Sequence, residues 1–274
     1  MTKIDNDMAA LKPQAESAAL NPRGTHMQST IRQIAAAAAL LAIGIAQAAS
    51  VVIPVGSNYG GIQLEGVGSL NFSADFLSAL DTYKASVAGY GAAVPAITKD
   101  TDGYYTQVSV TAPITSLTIE STSGVVLAAT TAGGATQTAP FLKSVSSGGS
   151  LTVTDLNVDF ANKVVYATLI GGNGVGTLTN LALWNIGAIT GTTSVTGPGT
   201  FFNATVSGLT ITSNGFNEFA QSLGLQSLGK AALSGVTDFG TITIAPGIPE
   251  PSSYALMGLG LVSVVFAIKR RQAR

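Results

Sequence analysis

Apolar and polar residues alternate in one short run after another between positions 51 and 246, and no other feature narrows the possible fold as much. A period of two is the spacing of a strand with one buried and one wet face, because successive side chains leave a pleated backbone on opposite sides. The runs at 106–111, 117–120, 151–160, 209–212 and 239–244 all show it, and they are rich in β-branched residues that pack well on a pleated surface. The run at 151–160 is followed by Ala161-Asn162-Lys163 and a second run at 164–170, which predicts an antiparallel hairpin with a tight turn. The glycine-rich stretch 171–176 is then expected to end the second strand as a flexible loop.

Two segments carry helical spacing instead. Residues 72–84 place Phe72, Phe76, Leu77 and Leu80 on one face, with Ser73 as the cap, and residues 214–223 align Phe216, Phe219, Ala220 and Leu223. The expected fold is therefore mainly β: a single antiparallel β-sandwich-like domain with two short helices covering a sheet edge or end. No repeat period emerges, which argues against a solenoid.

Composition excludes several function classes. Within 50–248 five lysines and no arginine stand against ten carboxylates, a balance of −5, which is the wrong sign for a nucleic-acid groove. The chain has no cysteine, so disulfides, thiolate metal sites and a cysteine nucleophile are all absent. Its one histidine, His26, precedes the expected mature region, which removes histidine-based nucleophilic catalysis and His/Cys zinc sites there. No catalytic residue, metal or cofactor is assigned.

Both ends read as targeting segments. The apolar run 34–45 is too short to span a bilayer comfortably and is about as long as a signal-peptide core, with Arg32 before it. The small residues Ala46, Ala48 and Ala49 follow, and cleavage by signal peptidase is expected after Ala48 or Ala49. Residues 27–49 form the expected signal peptide, with translation starting at Met27 and 1–26 a misassigned or disordered extension. Residues 50–247 are the β-rich secreted domain and 248–274 a tail with a transmembrane helix.

That tail has three parts in order. Pro249 and Pro251 around Glu250 hold the chain extended, since proline lacks the amide hydrogen and restricts the residue before it. An uncharged run at 254–268 comes next, then Lys269, Arg270 and Arg271, which belong on the cytoplasmic side and put everything before Pro249 outside. A terminus of this build resembles the PEP-CTERM sorting signal, in which Pro-Glu-Pro precedes a transmembrane helix and an Arg-rich end. The resemblance implies a Gram-negative bacterium that makes exopolysaccharide, transient anchoring in the inner membrane, recognition and cleavage near Pro-Glu-Pro by an exosortase, and delivery to the cell surface or extracellular matrix. It says almost nothing about what the delivered domain does.

Inside that domain the chemistry is sparse. Asp155 and Asp159 have even spacing and would leave one strand on the same face, the only pair to suggest a carboxylate-based glycan hydrolase; a solvated strand face explains them better. Asp100-Thr101-Asp102-Gly103 is a fragment of a calcium-loop spacing without its closing ligands, and reads as a polar turn. Tyr104, Tyr105 and Trp184 are the candidate ligand contacts, because an exposed aromatic face packs on the C–H groups of a sugar. Adjacent tyrosines in a strand cannot both face inward, so one should be exposed, whereas Trp184 lies in a run apolar enough to be buried. The expected function is a non-enzymatic surface or matrix protein associated with exopolysaccharide or biofilm. The alternatives are a lectin-like carbohydrate-binding module and, less favoured, the hydrolase.

Overall fold

The computed structural model describes residues 49–59, 62–195 and 202–247. The expected signal peptide as far as Ala48 and the tail fall outside them, and with them the predicted transmembrane helix. Among the described residues no helix is long and apolar enough to cross a membrane.

The strands are β1 (Ser50–Pro54), β2 (Asn58–Tyr59), β3 (Ile62–Gln63), β4 (Glu65–Phe72), β5 (Ser86–Tyr90), β6 (Val94–Lys99), β7 (Tyr105–Glu120) and β8 (Val126–Thr131). They continue as β9 (Gly134–Leu142), β10 (Ser146–Asp159), β11 (Val164–Gly171), β12 (Gly176–Asn185), β13 (Ala188–Thr192), β14 (Asn203–Ser207), β15 (Thr210–Ile211) and β16 (Gly240–Gly247). Helix α1 (Ala74–Thr82) follows β4, while α2 (Ser213–Ser222) and α3 (Ser227–Ser234) precede β16. Apart from the small β2–β3 ribbon, all strands join one antiparallel sheet whose main path is β13-β14-β16-β4-β7-β8-β10-β11-β12-β15. The predicted hairpin is β10–β11, paired from Leu151↔Gly171 to Asp159↔Val164.

Two long strands are shared between both halves of this sheet, and each carries a bulge in mid-strand. Beyond the inward Tyr105 at its start, the buried side chains of β7 are Val108, Val110, Ala112 and Ile114, then Leu117 and Ile119, so the inward parity switches from even to odd in mid-strand. In β10 the buried apolar side chains are Leu151 and Val153, then Val158, with Phe160 just past the strand's end, the opposite switch, while Thr152 and Thr154 are buried on the other face. Register shifts against the neighbours fall at the same places, between Ile114 and Ser116 and between Thr154 and Asn157. A bulge adds one residue to one strand, reverses its alternation and kinks it. Between the two bulges the chain turns from β8 to β9 at Ala132-Gly133, where Ala132 N–H donates to Pro113 O at 3.0 Å. The three irregularities line up as a crease across the sheet.

Asp155 pins that crease. Its φ of 52° lies in the left-handed region, and its carboxylate accepts from the buried Gly133 N–H at 2.9 Å while its own N–H donates to Gly133 O at 3.2 Å. Gly133 itself has φ 86°, and a Cβ there would come within 2.8 Å of Ala92 N, so both backbone freedom and closeness require glycine.

The curled sheet is joined end to end by two short corners. β12 passes to β13 through Ile186-Gly187, and β14 passes to β15 through Gly208-Leu209, so the chain steps twice between opposite ends of the strand path. Gly187 N–H donates to Ser207 O at 3.0 Å and Gly208 O at 3.1 Å, tying the corners together. Asp238 adds a clamp, accepting from Leu209 N–H at 3.0 Å and Gly240 N–H at 2.9 Å. Aromatic rings fill the interior at this join: Phe76 lies 4.9 Å from both Phe72 and Phe239, and Trp184 lies 6.1 Å from Phe239. Each such pair adds about 0.5–1.5 kcal/mol beyond the area it buries.

The mainly β, antiparallel expectation holds, and one detail of it is corrected. The strands join one sheet that curls over the crease, because the bulges let β7 and β10 serve both halves, and a sandwich of two sheets is not confirmed. The described residues hold three helices rather than two. The unanticipated α3 has an interior Gly229 and no side-chain cap, so its local signal is weak; packing of the fully buried Leu233 holds it in place. The anticipated helices begin with the capping bonds their sequences call for, Phe76 N–H to Ser73 Oγ at 3.1 Å and Gly215 N–H to Thr212 Oγ1 at 3.0 Å.

Candidate functional site

The two adjacent tyrosines separate as the pleat requires. Tyr105 opens β7 facing inward at 8 % exposure, and its hydroxyl donates to Ala85 O at 2.9 Å. Tyr104, one residue earlier, is 48 % exposed. It is presented by the turn at Asp100, whose Oδ1 accepts from Asp102 N–H at 3.0 Å and Tyr104 N–H at 2.8 Å. That carboxylate is thus used by its own turn, and no group of three or more potential metal ligands comes together among the described residues.

Beside Tyr104 lies a shallow groove of about 520 Å³ between α1 and the start of β7. Its walls carry Leu77, Ser78, Asp81, Thr82 and Lys84 with Tyr104 and Tyr105. Lys84, at the end of α1 with φ 52°, sets its Nζ 4.6 Å from the Tyr104 ring centroid, a cation–π contact that holds the ring. Asp81 accepts from Tyr105 N–H at 3.1 Å through Oδ2, so a carboxylate with spare lone pairs sits on the groove wall. An exposed ring, a carboxylate, a lysine and two hydroxyls give the groove a wet, mixed surface.

The other candidates are positioned differently. Trp184 is 2 % exposed on β12 and faces the interior, so it cannot stack on a surface sugar. The premise of an evenly spaced Asp155 and Asp159 fails at the β10 bulge, and each carboxylate closes a different turn: Asp159 accepts from Asn162 N–H and Nδ2, both at 2.8 Å. The 171–176 stretch is a tight β11–β12 connection; Asn173 pins it, donating from Nδ2 to Gly148 O at 3.0 Å and Ser222 O at 3.1 Å. Ala46, Ala48, Pro249, Glu250, Pro251, Lys269, Arg270 and Arg271 lie outside the described residues. Ala49 is described, and its carbonyl accepts from Ser121 N–H at 2.9 Å, extending the β1–β7 ladder by one bond.

The sequence reading passed over Gln137 and Thr131, polar side chains buried inside the curl. A signal for Gln137 was present: it shares the parity of Ala135 and Ala139 in β9, two positions that face inward.

Two further features concern the ends of the molecule. Glu120, at the end of β7, has its carboxyl held below the usual carboxylate range by hydrogen bonds from Ser123 and Thr122. From the last residue of β16 onward, residues 247–271 match the family model for the PEP-CTERM protein-sorting motif. No curated protein and no solved structure matches the chain.

Proposed function

With the PEP-CTERM sorting motif as the premise, which makes the chain an exported, exosortase-processed protein, we propose that its folded domain is non-enzymatic cargo for the outer surface or matrix of a Gram-negative bacterium. There it associates with exopolysaccharide or biofilm. The observation that carries this reading is the position of the motif: it starts at Gly247, the last residue of β16, so the sorting signal adjoins the folded domain directly. Signal peptidase cuts after Ala48 or Ala49, the tail holds the domain at the inner membrane, and the exosortase releases it. The test is intact mass and location in an exosortase-bearing host and in the same host lacking that enzyme. Loss of the mass beyond about Pro249, with surface release only in the first host, is the expected result. A product that keeps residues 254–274 in both hosts would leave a membrane-anchored periplasmic protein and remove the basis of the matrix reading.

The groove at Tyr104 favours a second reading, a lectin-like contact with glycan. An exposed aromatic face beside Asp81 and Lys84 offers both C–H stacking and hydrogen bonding to hydroxyls. Saturable binding of soluble glycans that is lost in Tyr104→Ala supports it, and binding that is unaffected by the substitution rules that surface out. The hydrolase alternative has no geometric support, since each aspartate of its proposed pair is used in a turn.

A further inference from the structure

Strand β1 leaves one of its two edges open. It pairs with β7 alone, and of its residues only Ile53 is buried. The bonds that bracket its ladder, Ser121 N–H to Ala49 O at 2.9 Å and Val55 N–H to Thr115 O at 2.8 Å, belong to odd positions. Backbone groups of successive strand residues point to opposite sides, so Val51 and Ile53 also face β7, while Ser50, Val52 and Pro54 face away. Pro54 has no N–H to offer and its carbonyl accepts from Ser57 N–H at 3.1 Å, which closes that end of the edge. The N–H and C=O of Ser50 and of Val52 remain, without a backbone partner among the described residues.

Sheets ordinarily blunt an open edge with charge, proline or a bulge. β6, which also pairs with β7 alone, carries Pro95 and ends in Lys99. β1 has no charged residue, its register with β7 is unbroken, and it displays Val51 at 42 % and Val52 at 60 % exposure. Its free groups are also self-complementary. A two-fold axis at Val51 sets Ser50 of each copy opposite Val52 of the other, and each of these pairs exchanges both of its hydrogen bonds. That register uses every free group. One centred on Val52 would set Ser50 against Pro54, which lacks the donor. An uncharged strand also does not repel its own copy.

We propose that β1 is a self-association edge, at which two copies of the chain join their sheets antiparallel with Val51 facing its counterpart. Val51 shares the inward face of Ile53 and Ile119, so the two valines cover each other beside the core. One short strand buries little against the about 1,200 Å² of a stable complex, so the pairing is weak and reversible. It forms where copies are crowded, as on a membrane that holds them by their tails. It depends neither on the groove at Tyr104 nor on the glycan reading.

The chain has no cysteine, so a single introduced one reports only contacts between copies. In this register Val51 faces its counterpart as a non-hydrogen-bonded pair, about 4.5 Å between Cα atoms, inside the about 4.4–6.8 Å that a disulfide spans. Val52 is offset from its counterpart by two positions and lies beyond that reach. The full chain carrying Val51→Cys, Val52→Cys or, on the exposed side of α3, Leu228→Cys is oxidised in phosphatidylcholine vesicles at one protein density. Dimer formation is followed on non-reducing gels. Val51→Cys is expected to cross-link about tenfold faster than the other two, the gain of a positioned encounter over a random one. Adding Val52→Pro removes an edge donor that makes no backbone bond within the copy, and should bring Val51→Cys down to the Leu228→Cys rate. If that variant loses its β-sheet signal by circular dichroism, Val52→Lys is added instead. Because variants are compared under one condition, the ratio reads the pairing whether or not the tail inserts. Equal rates at the three positions mean that the edge stays in water or is covered by another segment of its own chain, and overturn the proposal. So does an advantage of Val51→Cys that survives in a folded Val52 variant.

Discussion

Asp155 offers the sharpest check on the crease. Its carboxylate takes the buried Gly133 N–H at 2.9 Å from a residue whose own φ is 52°. Asp155→Ala removes that acceptor and places a side chain without local hydrogen bonding in the left-handed region. The bond is worth about 1–2 kcal/mol, the lower part of the range for a charged acceptor because the carboxylate is exposed, and the strain adds about 1 kcal/mol. The expected loss is therefore about 2–3 kcal/mol. Asp155→Gly keeps the backbone conformation and loses only the bond, so it should cost about 1–2 kcal/mol; Asp155→Asn keeps both features and should cost less than about 1 kcal/mol. Urea unfolding followed by Trp184 fluorescence gives the three values, provided the slopes match wild type. The reasoning is refuted if Asp155→Ala stays within about 0.5 kcal/mol of wild type, the scatter of an ordinary surface substitution, or if glycine proves as damaging as alanine.

Other consequences can be measured as directly. A Cβ at Gly134 would stand 2.7 Å from Thr154 Cα and overlap the Val153 carbonyl oxygen, so Gly134→Ala should cost about 3 kcal/mol or abolish soluble expression; a thermal melt near wild type would contradict it. Tyr83 is fully buried with an unpartnered hydroxyl, and burial pushes its ionisation well above the ordinary tyrosine range. Its folded state binds the proton more tightly, so the associated stability is fully present below the unfolded tyrosine pKa of about 10 and declines above it. Tyr83→Phe should thus be close to neutral at pH 7 and less sensitive to alkali, which chemical denaturation at pH 7 and above the tyrosine range will check. Glu120 has the opposite sign: its lowered pKa supplies stability above the ordinary glutamate range that fades as pH falls through the folded value. A carboxyl titration by NMR should move up toward that range in Thr122→Ala/Ser123→Ala.

The strands, the β10–β11 hairpin and two helix starts were legible because each depends on local periodicity, turn chemistry or capping. The crease was also written in the sequence, as two breaks in alternation. Polar doublets at Thr115-Ser116 and Thr154-Asp155 interrupt the apolar phase where the bulges lie, and reading 151–160 as one unbroken strand missed the second. End-to-end closure was not legible, since the corners at Gly187 and Gly208 acquire meaning only when strands far apart in sequence are neighbours. The exposure of one tyrosine and the burial of Trp184 followed from pleat and context. The convergence of Trp184, Gln137 and Thr131 on one cavity could not, because three different strands or strand ends bring them there.

The ladder between β4 and β16 governs when the domain can be completed. β4 ends at Phe72 and its partner begins at Gly240, so a central strand waits for almost the entire domain to be synthesised. Sheets built on such distant pairings fold slowly, in roughly milliseconds to seconds. During that delay β4 lacks one of its neighbours, and an unpaired strand edge is a template for pairing with another chain. The sorting motif starts at Gly247, the residue that completes the ladder opposite Glu65. Completion of the sheet and the start of the sorting motif therefore share one residue, so a cut at or before Gly247 would remove part of the strand that covers β4.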